Sequence, residues 1–205
     1  MLWSTDSFAS NANPTPANLE ALMELLAGSG GVRARFQEAR HLSILIDPIE
    51  TTGVLYFAPP DRLARHTTQP GRSSIVVDAG RVSLGDETGQ RVFDVSTSAV
   101  ARTLVSNLMV ILRGDLDSLR ARYSVGFEAG DGNWILDLEP RSRAVRGVIQ
   151  RVRVTGRGRE LDAIETRESN RDRTIMTFSD IETGLAWEAS ELGRIFSLNP
   201  PDAMP

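Results

Sequence analysis

The chain of 205 residues contains no cysteine and no lysine; all 23 basic side chains are arginine. Lack of cysteine excludes a disulfide scaffold, a thiolate zinc site, a cysteine nucleophile and a lipid anchor on an N-terminal cysteine of this chain. It suits the cytoplasm and the periplasm equally. Lack of lysine removes Schiff-base and P-loop chemistry, and the arginine bias itself reads as the codon usage of a GC-rich genome. No apolar run reaches the ~18 residues that would span a bilayer. The greasiest stretch, 104–112, is broken by Ser106 and Asn107. Residues 1–16, MLWSTDSFASNANPTP, lack the basic start and apolar core of a signal peptide. They read as the flexible leader of a mature or trimmed chain, with 17–205 as a single domain. Forty per cent hydrophobic residues and a net charge of −4 fit an ordinary globular protein.

What is present is mostly strand pattern. An amphipathic helix comes first: Leu19, Leu22, Met23 and Leu26 fall at i, i+3, i+4 and i+7. Alternation then starts, with Val32, Ala34 and Phe36 on one side and Arg33, Arg35 and Gln37 on the other. Further strands are expected over 49–57, 62–68, 73–77, 81–84 and 91–94, joined by turns at Asp78-Ala79-Gly80 and Asp86-Glu87-Thr88-Gly89. The segment GVLYFAPPDRLARHTTQP, 53–70, is the most telling: strand, Pro-Pro break, turn, strand, and a second break at Gln69-Pro70. A helical stripe of Val100, Leu104, Leu108 and Ile111, widened by Val105, Met109 and Leu112, interrupts the meander. Gly114 suits its C-cap, and Asp115 can cap a short helix over 116–122. Strands resume over 123–129, 134–139, 148–155, 160–166 and 173–179, with Asp131-Gly132 as a hairpin turn. A helical turn is expected at 142–146, and the tail from Ile181 should pack along the sheet. The sum is a mainly β (α+β) domain: an incomplete, strongly curved antiparallel barrel of about 10–11 strands. Its helical insertions bury their apolar faces most cheaply on the concave side.

Chemistry-bearing residues are sparse. Only His41 and His66 could serve as bases. His66 stands near Thr67, Thr68 and Ser74, but no G-x-S-x-G elbow or oxyanion hole accompanies it, so a structural or cavity-rim histidine is the better reading. No His/Asp/Glu set has metal-ligand spacing, and the glycines at 28–31 follow a helix, the wrong context for a phosphate loop. No cofactor is expected. Seven arginines fall in 141–159. With Val148, Val152 and Val154 on one strand face and Arg151 and Arg153 on the other, a solvated outer face is the first reading. Docking to an acidic partner or an anionic membrane is the functional one. Nucleic acid does not fit a net negative chain whose arginines have no interleaved aromatics. The stripe at 100–112 is either plain core or a soft lid that can part.

Taken in order, these elements resemble the LolA-like family of periplasmic lipoprotein carriers. The resemblance rests on the first helix, VRARFQEAR, G-x-L-x-F with its following proline at 53–60, and L-x-R-H-x-T-Q-P at 63–70. It continues through SSIVVDAGRV, the central helical pair, the hairpin ending in LDLEP, and F-x-x-x-P-P at 196–201. The resemblance implies a half-barrel under a helical lid, with an apolar space for the acyl chains of a lipoprotein crossing the periplasm. It implies a monomer that meets an inner-membrane donor and an outer-membrane acceptor. The concave-face candidates for acyl contact are Phe36, Leu55, Phe57, Leu63, Ile75, Val77, Trp134 and Leu136. The lid candidates are Leu22, Met23, Leu26, Val100, Leu104, Leu108 and Ile111. A one-residue slip would exchange Leu55 and Phe57 for Val54 and Tyr56. Family carriers place an arginine that ties barrel to lid just before the proline; here Pro59 stands there. Either Arg62 or Arg65 takes over the latch, or the cargo is another lipid or a hydrophobic pigment precursor. A sensing module on the same fold and an enzyme acting on lipids through His66 are the remaining alternatives.

Overall fold

The computed structural model describes residues 15–94 and 108–198. The expected leader up to residue 14, Val100, Leu104 and Val105 of the central stripe, and Pro200-Pro201 lie outside the described residues. The chain opens with α1 (Leu19–Ala27), capped by Asn18, whose side chain accepts from the Ala21 amide. Then come β1 (Gly31–His41), β2 (Ile49–Ala58), β3 (Arg62–Gln69), β4 (Ser73–Asp78), β5 (Arg81–Asp86) and β6 (Gly89–Asp94). The helical residues 108–112 form α2. After α3 (Leu116–Arg122) follow β7 (Tyr123–Gly130), β8 (Asn133–Pro140), α4 (Arg143–Arg146), β9 (Ile149–Arg157), β10 (Glu160–Glu168), β11 (Arg173–Leu185) and α5 (Ala189–Ile195).

All eleven strands form one antiparallel sheet in the order β6-β5-β4-β3-β2-β1-β11-β10-β9-β8-β7. β6 and β7 are its two edges, so the barrel is not closed. A single core cluster joins inward residues of both wings, Leu63, Val77 and Val82 with Trp134, Leu136 and Val152. Only a strongly curved sheet brings those wings onto one core. Leu22, Met23 and Leu26 of α1, Leu108 to Leu112 of α2 and Leu119 of α3 belong to the same cluster, so these helices cover the concave face. α2 ends in a Schellman pair: the Asp115 amide donates to the Val110 carbonyl and the Gly114 amide to that of Ile111. Gly114 takes φ +62 there, and a Cβ on it would overlap the Met23 carbonyl. Glycine is therefore what lets α2 turn against α1. An ion pair between Glu20 and Arg120 ties α1 to α3.

Two features depart from the sequence expectations. The tail packs along the sheet as expected, but it does so through an unexpected helix: α5 crosses the convex face, where Ile195, Tyr56, Ala64 and Val76 make a second buried cluster. In β9 the inward row is not Val148, Val152 and Val154. Val148 is 48% exposed, and Ile149 is buried in its stead. A register shift between Arg167 and Glu168 on β10 leaves Gln150 as an extra residue, which reverses the alternation below Arg151.

Candidate functional site: the concave face

Strand alternation places Val32, Ala34 and Phe36 of β1, Leu55 and Phe57 of β2, Leu63 of β3 and Val77 of β4 on the concave side, all buried. Trp134 and Leu136 of β8 face them from the other wing. Leu55 and Phe57 thus point inward. Tyr56 is also buried, but against α5 on the opposite face. Ile75 is partly buried against the same core, and Leu22, Met23, Leu26, Leu108 and Ile111 meet it from the helices. The sequence-predicted residues that are described therefore converge on one apolar body. Trp134 satisfies its single polar atom by donating from Nε1 to the Gly158 carbonyl at 3.0 Å, in a buried position.

Within that body runs a narrow cleft with a cavity volume of only about 20 Å³, part of it open to solvent. Its walls are Val32 and Ala34 from β1, Leu55 from β2, Leu108 and Leu112 from α2, Leu161 from β10, and Phe178 and Ile181 from β11. Arg159, in the β9–β10 turn, stands at its rim. That is far below the usual volume of a ligand pocket, so its walls, aliphatic side chains and one ring, must part to admit a flexible apolar ligand. Of the predicted residues that are described, only Leu55 and Leu108 line the cleft itself; the other described ones form the body behind it. Leu161, Phe178, Ile181 and Arg159 were not foreseen. Alternation along β11 signals Phe178, whereas a register shift between Leu161 and Ala163 hides Leu161.

A partly buried charged pair, Arg65 with Glu38, lies on this apolar side. Arg65 follows Leu63 on the inward row of β3, and its guanidinium stacks over the Phe36 ring and bonds to Glu38 and Thr51. Burial pushes its pKa down, and the Glu38 carboxylate opposes that shift. Arg62 is turned away from the concave face, paired with Asp78 at 2.9 Å and set over the Phe196 ring next to α5. Of the two arginines proposed as replacements at the Pro59 position, Arg65 alone faces the side that the helices cover.

The convex side holds the remaining polar chemistry. His66 Nε2–H donates to the Ile195 carbonyl at 2.7 Å, so Nδ1 accepts from the Ser74 hydroxyl at 2.9 Å. The ring sits under the end of α5 with both nitrogens engaged, as a clamp for that helix. Arg151 and Arg153 converge on Asp137 of β8 at 2.7 and 2.9 Å. These two hydrogen-bonding arginines, Arg153 first, hold the Asp137 carboxyl at about 2. The strand arginines thus form a salt-bridged outer face. Among the described residues no group of His, Asp and Glu could hold a metal ion, and no helix is long and apolar enough to cross a membrane.

A half-barrel whose concave face is apolar and covered by helices defines an open-sheet, helix-covered class of fold. The profile of the family described as "Outer membrane lipoprotein carrier protein LolA-like" matches residues 11–192. The chain belongs to that family. An outer-membrane lipoprotein carrier protein of Chromohalobacter salexigens is 24% identical over 141 residues, covering 69% of this chain and 65% of that protein. The match thus spans just under two thirds of the relative's length. Among solved structures, a LolA superfamily protein of Nitrosomonas europaea superposes with a TM-score of 0.51 at 10% identity, covering 87% of this chain and 97% of the other. MucB of Pseudomonas aeruginosa, in its complex with MucA, also gives 0.51 at 14% identity, over 86% of this chain and 60% of that one. These two likenesses establish the shared fold.

Proposed function

We infer that the protein is an envelope carrier that holds the acyl chains of a lipoprotein, or of a related lipid, while they cross the periplasm. The observation that carries this reading is the aliphatic cleft between β1, β2, β10, β11 and α2. Acyl chains cost about 0.8 kcal/mol for each CH₂ left in water, so a soluble shuttle must cover them. It must also release them, which favours non-directional apolar walls over exacting hydrogen bonds. Membership of the LolA-like family supports the lipoprotein as cargo and the periplasm as compartment. No chemical step is assigned to the site.

Native mass spectrometry of protein taken from the host envelope, with lipid extraction of the same sample, tests this. A co-purifying lipidated protein supports lipoprotein carriage. A free lipid or pigment-like acyl species assigns the cleft a non-protein cargo. An empty protein that also fails to bind a fluorescent fatty acid removes the carrier reading. The MucA/MucB neighbour prompts the second reading, a module that senses a lipidated or misfolded protein. Under it, affinity would follow the protein part of a cargo after its acyl chains are removed.

A further inference from the structure

Exposed aliphatic residues on this protein are not scattered. Among the described residues the large exposed hydrophobics are Ile44, Leu45, Ile46, Ile49, Val92 and Val148, and all but Val92 lie at one end of the sheet. That end carries the turns 70–72 and 87–88 of the first wing and, nearer the middle of the sheet, the loops 42–48, 141–148 and 169–172, between β1 and β2, β8 and β9, and β10 and β11. The three loops are bound into one surface. The Ser43 amide donates to Asp172 Oδ1 at 2.8 Å, and Ser169 donates from its amide to the Val148 carbonyl at 2.9 Å. Ile44 is 86% and Ile46 100% exposed, so the β1–β2 hairpin ends in a bare aliphatic tip. The same loops carry four exposed arginines, Arg141, Arg143, Arg146 and Arg171. Their only carboxylates are Asp47 and Asp172, and Asp172 is buried under Ser43.

We propose that this end of the sheet docks the protein onto an anionic lipid bilayer, with Ile44, Leu45 and Ile46 entering the acyl layer and the four arginines at headgroup level. Shape and charge select the bilayer over a protein partner. Consecutive side chains on a protruding tip point in different directions, so one rigid flat surface leaves some of them in water. Fluid hydrocarbon covers them all. Arginines beside such a tip reach phosphate while their stems stay in the interface. The proposal is independent of the cargo reading, since a protein with an empty cleft could still dock in this way.

Flotation of the intact chain with vesicles of phosphatidylethanolamine and phosphatidylglycerol tests it, with phosphatidylcholine vesicles as the neutral control. Wild type should float with the anionic vesicles and release as salt is raised. I44D/I46D should lower the bound fraction at least tenfold, because it places charge in the acyl layer. R143Q/R146Q should lower binding to anionic vesicles about fivefold or more, with little change on phosphatidylcholine. All four positions are exposed, so circular dichroism and fluorescent fatty-acid binding should match wild type, which separates this outcome from failure of the carrier reading. Wild type that stays unbound at low salt, or I44D/I46D that floats like wild type, overturns the proposal and leaves a protein partner as the occupant of the tip.

Discussion

The Arg65 guanidinium lies 4.5 Å from the centroid of the Phe36 ring, and its Nη2 reaches Glu38 Oε1 at 3.1 Å. Both members of the ion pair are only 19% exposed. The apolar wing of the sheet therefore supports one cation, held by a ring and a carboxylate. Removing one partner of such a pair leaves the other charge buried without compensation. Glu38→Met should destabilise the fold by about 2 kcal/mol, read as a lower urea midpoint. The double variant Glu38→Met/Arg65→Met should recover most of that loss. If the double variant is as unstable as the single, the pair is a net stabiliser and the apolar replacement argument fails.

Phe36 also explains the glycine of the G-x-L-x-F segment. Phe36 pairs with Gly53 across β1 and β2, and the ring lies flat where a side chain would stand. A Cβ on Gly53 would come within 2.8 Å of the ring and overlap the His66 carbonyl. Gly53→Ala should cost about 2–3 kcal/mol through overpacking. In a chain of 205 residues that is a fall in Tm of roughly 5–10 °C. Scanning calorimetry reads it directly, and an unchanged Tm would mean the ring has room to shift.

Phe36, Leu55 and Phe57 were legible because β1 and β2 pair without interruption from Val32 to Arg40, so period-two alternation carries through. The first helix was legible for the same kind of reason, its apolar residues recurring at helical spacing. Val148 and Leu161 were not. An extra residue near Gln150 and another near Asp162 each reverse the inward row, and such bulges depend on the partner strand, which local sequence does not reveal. Helix α5 was hidden by its own composition. Its N-cap is Glu188, outside the usual cap residues, although Glu191 completes a capping box. Gly193 lowers its intrinsic propensity, so docking of Ile195 against the convex cluster fixes the helix. Arg65 stood in the sequence beside Arg62 as one of two candidate latches. Only the register shows that it shares the inward row with Leu63.

His66 gives the convex face a pH dependence. Desolvation pushes its pKa below the usual 6.5, outweighing the carbonyl of Ile195, which favours the cation. The unfolded chain therefore binds this proton more readily than the fold does. Its contribution is fully present above pH 6.5 and is lost as pH falls through the lowered folded value. Wild-type Tm should drop between pH 7.5 and 5, and His66→Gln should flatten that part of the curve. A variant with an unchanged slope would assign the effect to other groups.

Asp137 governs a lower window. Its carboxyl titrates at about 2 in the fold, against an ordinary 3.8, because Arg153 and Arg151 both bond to it. The sign is that of a depressed acid: the stability is present above pH 3.8 and disappears as pH falls toward 2. The pair is partly solvated, so Asp137→Asn should cost only about 1 kcal/mol at pH 7. That cost should shrink in 1 M salt. Urea titrations at pH 7 and pH 2.5 check both halves, and an equal cost at the two pH values would exclude the ion pair as its source.

Ala34 offers the sharpest separation of a cargo cleft from ordinary core. It is 3% exposed, pairs with Leu55 across β1 and β2, and forms part of the cleft wall. A larger side chain there pushes on Leu108 and Leu112 of the covering helix rather than on the sheet, so in a cleft that opens for cargo the usual overpacking cost of ~1–3 kcal/mol should be largely relieved. It should also occupy the room that an acyl chain needs. Ala34→Leu and Ala34→Phe should therefore keep the wild-type Tm within a few degrees while weakening fluorescent fatty-acid binding at least tenfold, more for phenylalanine. Displacement titrations and thermal melts on the same samples decide it. Unchanged affinity with unchanged Tm would place the acyl chains elsewhere on the concave face. A large fall in Tm would mean that the cleft closes over Ala34 in solution and that this wall is core.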